Sequence, residues 1–369
     1  FPPGASPRHA SPKTETPQAA ERGLAGSFVG PAEIRELKGV EALRASDEFL
    51  EHHADHPQAR DVGFRRSALI KRPLERVPHP GVVEAQFCSN GERFVFRSRG
   101  SGVGGSTART FTLKGRLLKE FPVSNGATAL ALDSSESLLA LCSNDGNVTV
   151  RDFSSGENRA RHTFPGVALR HVAIAPQGGA LVAAGGGSLV ARSWPSLGPF
   201  SFEVLLDLRS ARQRVQAIAF SQEGTLYVAT WGVEATHELL IFSDLAAAPV
   251  RKTLGSPPSR IRISPKQDCL AVGFTNGSLG ILEMSGELRH TFDAPAGESR
   301  VFAHPGTISG LAFSPNGEEL YSSSSVPETE DRNDVRRWVV ADPASGAIVR
   351  PGGEDRFRTL DVSPDGTLL

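Results

Sequence analysis

The stretch that decides the fold is Ile308-Ser309-Gly310-Leu311-Ala312-Phe313-Ser314-Pro315-Asn316-Gly317-Glu318-Glu319-Leu320-Tyr321-Ser322-Ser323-Ser324. Leu311 and Phe313, two residues apart, give an extended strand one apolar face. Ser314-Pro315-Asn316-Gly317 is turn chemistry. Proline presets φ at the first central position, and Asn-Gly tolerates the positive φ that a tight hairpin requires. The chain then returns as a second strand. One hairpin, copied, accounts for the fold.

Aligned on the apolar residue before the turn, the copies fall at Phe87, Leu132, Ile174, Phe220, Ile263, Phe313 and Val362. The intervals are 45, 42, 46, 43, 50 and 49 residues. Their turns read Ser89-Asn90-Gly91, Ser134-Ser135-Glu136, Pro176-Gln177-Gly178, Gln222-Glu223-Gly224, Pro265-Lys266-Gln267, Pro315-Asn316-Gly317 and Pro364-Asp365-Gly366. Two residues before the anchors stand Ala85, Leu130, Val172, Ile218, Ile261, Leu311 and Leu360, a single apolar face written seven times. A period in the forties, with room for four short strands per copy, predicts an all-β fold: a β-propeller of about seven four-stranded antiparallel blades. Leu130, Leu132, Val172, Ile174, Ile218, Phe220, Leu311 and Phe313 are expected to be buried on the inner strands.

Scattered residues add a family likeness. His304 lies nine residues before Phe313, preceded by Ala303. Ser143-Asn144-Asp145-Gly146 is followed by Val148-Thr149-Val150-Arg151-Asp152, and Val335-Arg336-Arg337-Trp338 ends on tryptophan. From about Gly81 onward the chain resembles the WD-repeat family, in a divergent form also similar to the Ser-Pro-Asp-Gly propellers of bacterial envelope proteins. The resemblance implies that a histidine and an aspartate join a structural hydrogen-bond network inside a blade, and no one copy here displays every member. It also implies a scaffold that binds protein or peptide partners on its loop face.

Composition agrees with many short strands and turns: 38 glycines and 26 prolines, with 7% aromatic residues. A net charge of −1 gives no global attraction to nucleic acid or an acidic membrane. The three cysteines, Cys88, Cys142 and Cys269, are too widely spaced for a zinc site or a disulfide framework. No run of about 18 apolar residues provides a membrane span. Residues 1–24, rich in Pro, Ser and Ala, read as a disordered linker. Residues 25–60 read as a helical extension, with Ile34, Leu37, Val40, Leu43, Phe49 and Leu50 at roughly helical spacing behind Pro31. Residues 61–369 are the propeller. The chain starts at Phe1 and stops at Leu369 inside a repeat, so it reads as a piece of a longer protein, C-terminally truncated. Its last blade is expected to be incomplete, with Leu74 to Val77 placed to lend an outer strand.

The local motifs are weaker than the repeat. Gly100-Ser101-Gly102-Val103-Gly104-Gly105 fits a phosphate-cradling pattern but joins strand to strand, where that chemistry needs a helix N-terminus, so it reads as a hairpin loop. His52, His53 and His56 lie near a helix end without a His-Glu-x-x-His pattern, and no metal site is assigned. Arg65, Arg66, Lys71, Arg72 and Arg76 lack interleaved aromatics and read as a solvated flank. The insertion from Pro327 to Asp334, with Glu328, Glu330 and Asp331, reads as a loop too sparse for calcium. Trp194, Trp231 and Trp338 fall in or beside strands and read as core.

The function expected is that of a non-enzymatic interaction scaffold, needing no cofactor. Four to six residues before the anchors stand Arg170, Arg214, Gln216, Arg356 and Arg358, a rim suited to acidic or phosphate-bearing peptides. The plain alternative is that each arginine covers its own blade's edge. A propeller-based hydrolase would need carboxylates or histidines converging on the central channel, and the aligned copies suggest none. A third reading is a sensor propeller attached to an upstream enzyme domain. The protein is expected to be cytoplasmic, though a periplasmic or anchored form stays open, and monomeric when full length.

Overall fold

A computed structural model describes residues 82–98, 107–113, 115–122, 126–176, 179–185, 189–193, 202–208, 212–294, 302–325, 334–350 and 358–366, with Phe49 and Leu369. The chain separates into two units, Phe1–Leu69 and Ile70–Leu369. Of the first, only Phe49 is described, and it is helical and buried. The expected linker, the rest of the helical extension, His52, His53, His56, the basic run and Leu74 to Val77 lie outside the described residues.

The second unit is built of four-stranded antiparallel sheets, six of them among the described residues. Blade one is β1 (Val82–Phe87), β2 (Arg93–Ser98), β3 (Thr107–Thr112) and β4 (Leu117–Pro122). Blade two is β5 (Ala127–Leu132), β6 (Leu138–Ser143), β7 (Asn147–Asp152) and β8 (Asn158–Thr163). Blade three is β9 (Leu169–Ile174), β10 (Leu181–Gly185), β11 (Leu189–Ser193) and β12 (Phe202–Asp207). Blade four is β13 (Gln213–Phe220), β14 (Leu226–Gly232), β15 (Glu238–Phe242) and β16 (Val250–Thr253). Blade five is β17 (Pro258–Ile263), β18 (Cys269–Phe274), β19 (Leu279–Glu283) and β20 (Leu288–Thr291). Blade six is β21 (Thr307–Phe313), β22 (Glu319–Ser325), β23 (Val335–Val339) and β24 (Asp342–Arg350). Within each blade the strands pair in sequence order, so every connection is a hairpin.

Six of the seven anchors are the last residues of inner strands: Phe87, Leu132, Ile174, Phe220, Ile263 and Phe313. The turn after Phe313 shows why. Gly317 takes φ +68° and donates its N–H to Ser314 O at 2.9 Å. The Ser314 hydroxyl accepts the Glu319 N–H at 2.9 Å and so starts β22. Blades two and five carry Glu136 and Gln267 at the position of Gly317, and both adopt positive φ (54° and 58°). Each then reaches the turn of the preceding blade. Glu136 accepts the Ser89 N–H, and Gln267 accepts the Gln222 N–H at 2.9 Å.

Every inner strand also carries an irregularity at one place. The pairing with the second strand shifts register around Val83, Thr128, Arg170, Gln216, Ser259 and Ser309, each four residues before its anchor. A bulge here kinks the strand and turns one side chain out of the alternation that fills the core.

The core lies between blades. Beneath Phe313, residues Phe292 and Trp338 meet with ring centroids 5.0 Å apart, packed with Ala271 and Ile281 of blade five. Val148, Val150, Val172 and Ala183 fill the space between blades two and three, and Tyr227, Leu239, Ile261 and Val272 that between four and five. Cys88, Cys142 and Cys269 are free and buried, and burial pushes their thiols up to about 11, 12 and 11. Among the described residues no helix is long and apolar enough to cross a membrane.

Three expectations need correction. First, six four-stranded sheets are described, where about seven were expected. The seventh anchor, Val362, sits in a segment (358–366) that forms no strand. It nevertheless fills the seventh inner position: Leu360 and Val362 pack on Ala312, Tyr321 and Val335 of blade six, while Asp361 bonds to Phe87 of blade one. Second, only Leu130, Val172, Leu311 and Phe313 of the eight expected core residues are buried. Leu132, Ile174, Ile218 and Phe220 are half-buried. Leu132, Ile174 and Ile218 line a central cavity, which leaves them partly uncovered.

The third correction concerns blade six, which holds a full hydrogen-bond network. The Trp338 indole N–H donates to Ser322 Oγ at 2.7 Å, His304 Nε2 lies 2.7 Å from the same hydroxyl, and His304 Nδ1 lies 3.0 Å from Asp334 Oδ1. Arg336 donates to Asp334 Oδ2 at 2.8 Å and to Ala303 O at 2.6 Å. All of these side chains are buried. Asp334, expected as part of a loop, is the acidic member. The insertion before it hides its place in the repeat.

Candidate functional site

The inner strands of blades one to five and the segment 358–364 wall a cavity of about 520 Å³. The bulges decide what faces it. Val83, Thr128, Arg170 and Gln216 occupy bulge positions and line the cavity, and Arg358, four residues before Val362, joins them. At the bulges of blades five and six the residue is a buried serine instead. Ser259 Oγ lies within donating distance of Gly273 O and Ile308 O, at 3.0 and 2.9 Å, and Ser309 Oγ lies 3.1 Å from Ser323 Oγ.

Of the five residues expected at a rim, the structure brings together Arg170, Gln216 and Arg358. Arg214 is elsewhere. It lies six residues before its anchor, beyond the bulge, with its guanidinium 5.8 Å from the centroid of the half-buried Trp231 ring. Arg356 lies outside the described residues, as do Trp194, Glu328, Glu330 and Asp331. The Gly100–Gly105 loop is likewise outside them, but its flanking strands β2 and β3 pair antiparallel, as a hairpin requires.

Six titratable groups that the sequence reading missed line the same cavity: Glu84, Arg97, His171, Arg260, Arg262 and Asp361. This corrects the expectation that no carboxylate or histidine converges on the channel. The anchor frame did contain a signal, because Glu84, His171 and Arg260 stand three residues before their anchors and Arg262 and Asp361 one before. These positions alternate with the apolar ones and so take the opposite face of the strand.

Several of these groups act as latches from one inner strand to the next. Glu84 of blade one accepts the Leu130 N–H of blade two at 3.0 Å. The Thr128 hydroxyl of blade two donates to Leu169 O of blade three at 2.7 Å. The imidazole of His171 in blade three lies beside the backbone of Val215 in blade four, which favours its charged form. Arg260 of blade five donates through Nε to Ser309 O of blade six at 2.9 Å. Asp361 accepts the Phe87 N–H of blade one at 2.6 Å.

Electrostatically the cavity is cationic. Five guanidinium groups (Arg97, Arg170, Arg260, Arg262, Arg358) face two carboxyl groups, Glu84 and Asp361. Burial raises both carboxyls above their ordinary range, although Arg97 and Arg262 favour the ionised form of Glu84, and the Phe87 N–H and Arg262 that of Asp361. Burial, then Arg260 and Arg170, push His171 down to about 4, so it is neutral at pH 7. Burial and the neighbouring Arg262 lower Arg260. Arg97 is engaged, with Nε 3.4 Å from Glu84 and Nη1 donating to Ala127 O at 2.7 Å. Among the described residues no three His, Cys, Asp or Glu side chains come together as a metal-binding group.

Residues 297–332 match the family described as "WD domain, G-beta repeat". This stretch includes His304, the decisive hairpin and Ser322. Within the β-propeller, this one stretch carries a WD repeat. Its fold is similar to that of the Cps50 (Swd1) β-propeller domain of Myceliophteria thermophila, with a TM-score of 0.62 and 14% identity over 78% of this chain and 91% of that one. At that identity the likeness bears on the fold alone. A comparison with curated protein sequences finds no match. WD-repeat propellers are in general protein-interaction scaffolds.

Proposed function

We propose that this WD-repeat propeller is a non-enzymatic scaffold that binds a protein or peptide partner where its inner-strand bulges open onto the central cavity. The observation that carries this reading is the convergence of Arg170, Gln216 and Arg358. All three stand four residues before an anchor and all line one cavity. A rigid frame that presents polar side chains from separate blades suits recognition. The arginines favour an acidic partner segment. Arg214 and Arg356 belong to the same reading as outer contacts. The reading takes the chain as cytoplasmic, monomeric when full length and free of cofactor.

Glu84, His171 and Asp361 give the hydrolase alternative its one observation. Glu84 and Asp361, however, accept backbone N–H groups of the adjoining inner strand as parts of the frame, and the buried His171 lies beside the Val215 backbone. Partner capture from the source cells by the wild type and by Arg170→Glu/Arg358→Glu tests the proposal. The double variant is expected to lose its partners while melting within about 0.5 kcal/mol of wild type, since both side chains are exposed. Unchanged partners on a folded double variant would remove the cavity from the reading.

A further inference from the structure

The cavity itself carries an inference that does not depend on a protein partner. Arg97 is already occupied by Glu84 and the Ala127 carbonyl. Arg260 is held by the carbonyls of Ser259 and Ser309, which use Nη1 and Nε. Arg170, Arg262 and Arg358 are exposed and form no ion pair with a described residue. Four cationic groups from blades three and five and the 358–364 segment thus share one space with Asp361, itself bonded to the Phe87 amide. Like charges gathered on low-dielectric walls focus a positive potential. Their mutual repulsion is relieved when a multivalent anion enters.

We propose that this cavity binds a compact multivalent oxyanion of the phosphate class, held by Arg170, Arg260, Arg262 and Arg358 with Gln216. Guanidinium forks match the geometry of phosphate oxygens, and arginines arriving from separate walls suit a ligand with acceptors on several sides. The volume, about 520 Å³, lies in the range of small-molecule sites. The same chemistry could come free, as a short polyphosphate, or carried on a side chain of a peptide.

The test is isothermal titration at about 0.15 M salt, an ionic strength at which exposed charges are largely screened. The probes are tripolyphosphate, sulfate, a singly phosphorylated peptide and its unphosphorylated form. Tripolyphosphate is expected to bind saturably and more tightly than sulfate. Arg170→Gln, Arg262→Gln and Arg358→Gln should each weaken it by about tenfold, the scale of one charge-assisted contact. Arg116→Gln, exposed and outside the cavity, should leave it within about twofold. Competition between phosphopeptide and tripolyphosphate identifies a peptide-borne source, and tripolyphosphate binding alone identifies a free one. The three substitutions lie on separate segments, so an early-melting variant leaves two others to decide. No saturable binding of any phosphate probe to folded wild type overturns the proposal, as does an equal loss in Arg116→Gln. Lost anion binding with partner capture intact would leave the scaffold reading standing.

Discussion

Asp361 Oδ2 accepts the backbone N–H of Phe87 at 2.6 Å, joining residues separated by 274 positions in the chain. Its direction around the wall is that of Glu84, Thr128 and Arg260: a side chain of one inner element to the backbone of the next. This bond takes that sequence back to blade one. The segment that makes it forms no strand, so side-chain contacts do for it what ladder hydrogen bonds do for the six blades.

Replacing the acceptor should therefore be felt. Asp361→Ala leaves the Phe87 N–H unpaired, at a cost of about 1–3 kcal/mol. Asp361→Asn keeps an oxygen there and should cost less. Burial raises the carboxyl of Asp361, so the folded chain binds its proton more readily than the unfolded one. The resulting stability is present at low pH and is lost as pH rises out of the ordinary carboxylate range through the raised pKa. Denaturant melts of wild type and Asp361→Asn at pH 4 and pH 8 check this. The asparagine variant should gain on wild type at the higher pH, and equal slopes would refute the assignment.

His171 works in the opposite sense. Its folded pKa of about 4 lies below the ordinary histidine value, so the unfolded chain takes up the proton first. Its contribution is complete above about pH 6.5 and is lost as pH falls toward 4, by about 3 kcal/mol at most. His171→Gln should flatten that part of the stability–pH curve. If the two curves run parallel between pH 6.5 and 4, the burial of the imidazole is not what the geometry implies.

In blade six, burial opposes ionisation of Asp334, but the hydrogen bonds from His304 and Arg336 outweigh it and hold the carboxyl below its usual range. Asp334→Ala removes a carboxylate paired with the buried Arg336 and should cost about 3–5 kcal/mol. Adding Arg336→Met should recover part of that loss, because the buried charge is gone. A double variant no more stable than the single one would show that packing, not charge pairing, dominates the network.

Gly310 tests the docking of the 358–366 segment. A β-carbon there would stand 2.8 Å from both Leu360 N and Ser323 Oγ. Gly310→Ala should cost about 1–3 kcal/mol by overpacking. Proteolysis should then cut first near Leu360. Wild-type protease resistance would mean that the segment is not seated there.

Much of this architecture was legible because the hairpin repeats. Apolar alternation with turn residues located the ends of six inner strands to the residue. The bulge was not legible: three hydroxyl residues (Thr128, Ser259 and Ser309) occur there beside Val83, Arg170 and Gln216, and no single residue type marks the position. Three of the five expected site residues came together because the expected window included that position. Arg214 was misplaced because it lies beyond the bulge. Glu84, His171 and Arg260 were missed because attention rested on the apolar face, whereas their strands present both faces to something. Asp334 was hidden by the insertion that shifts it out of register with the other copies.

The bulge also separates two kinds of change. At Leu311 or Phe313 a substitution must satisfy the packing of two blades at once. At Arg170 or Gln216 the side chain has been rotated out of that packing, and its backbone conformation is supplied by neighbours on either side. Blades one, three and four, with Val83, Arg170 and Gln216 at the bulge, thus each offer one rewritable socket. A cavity of a different chemistry could be written into this wall one copy at a time, with every intermediate still folding.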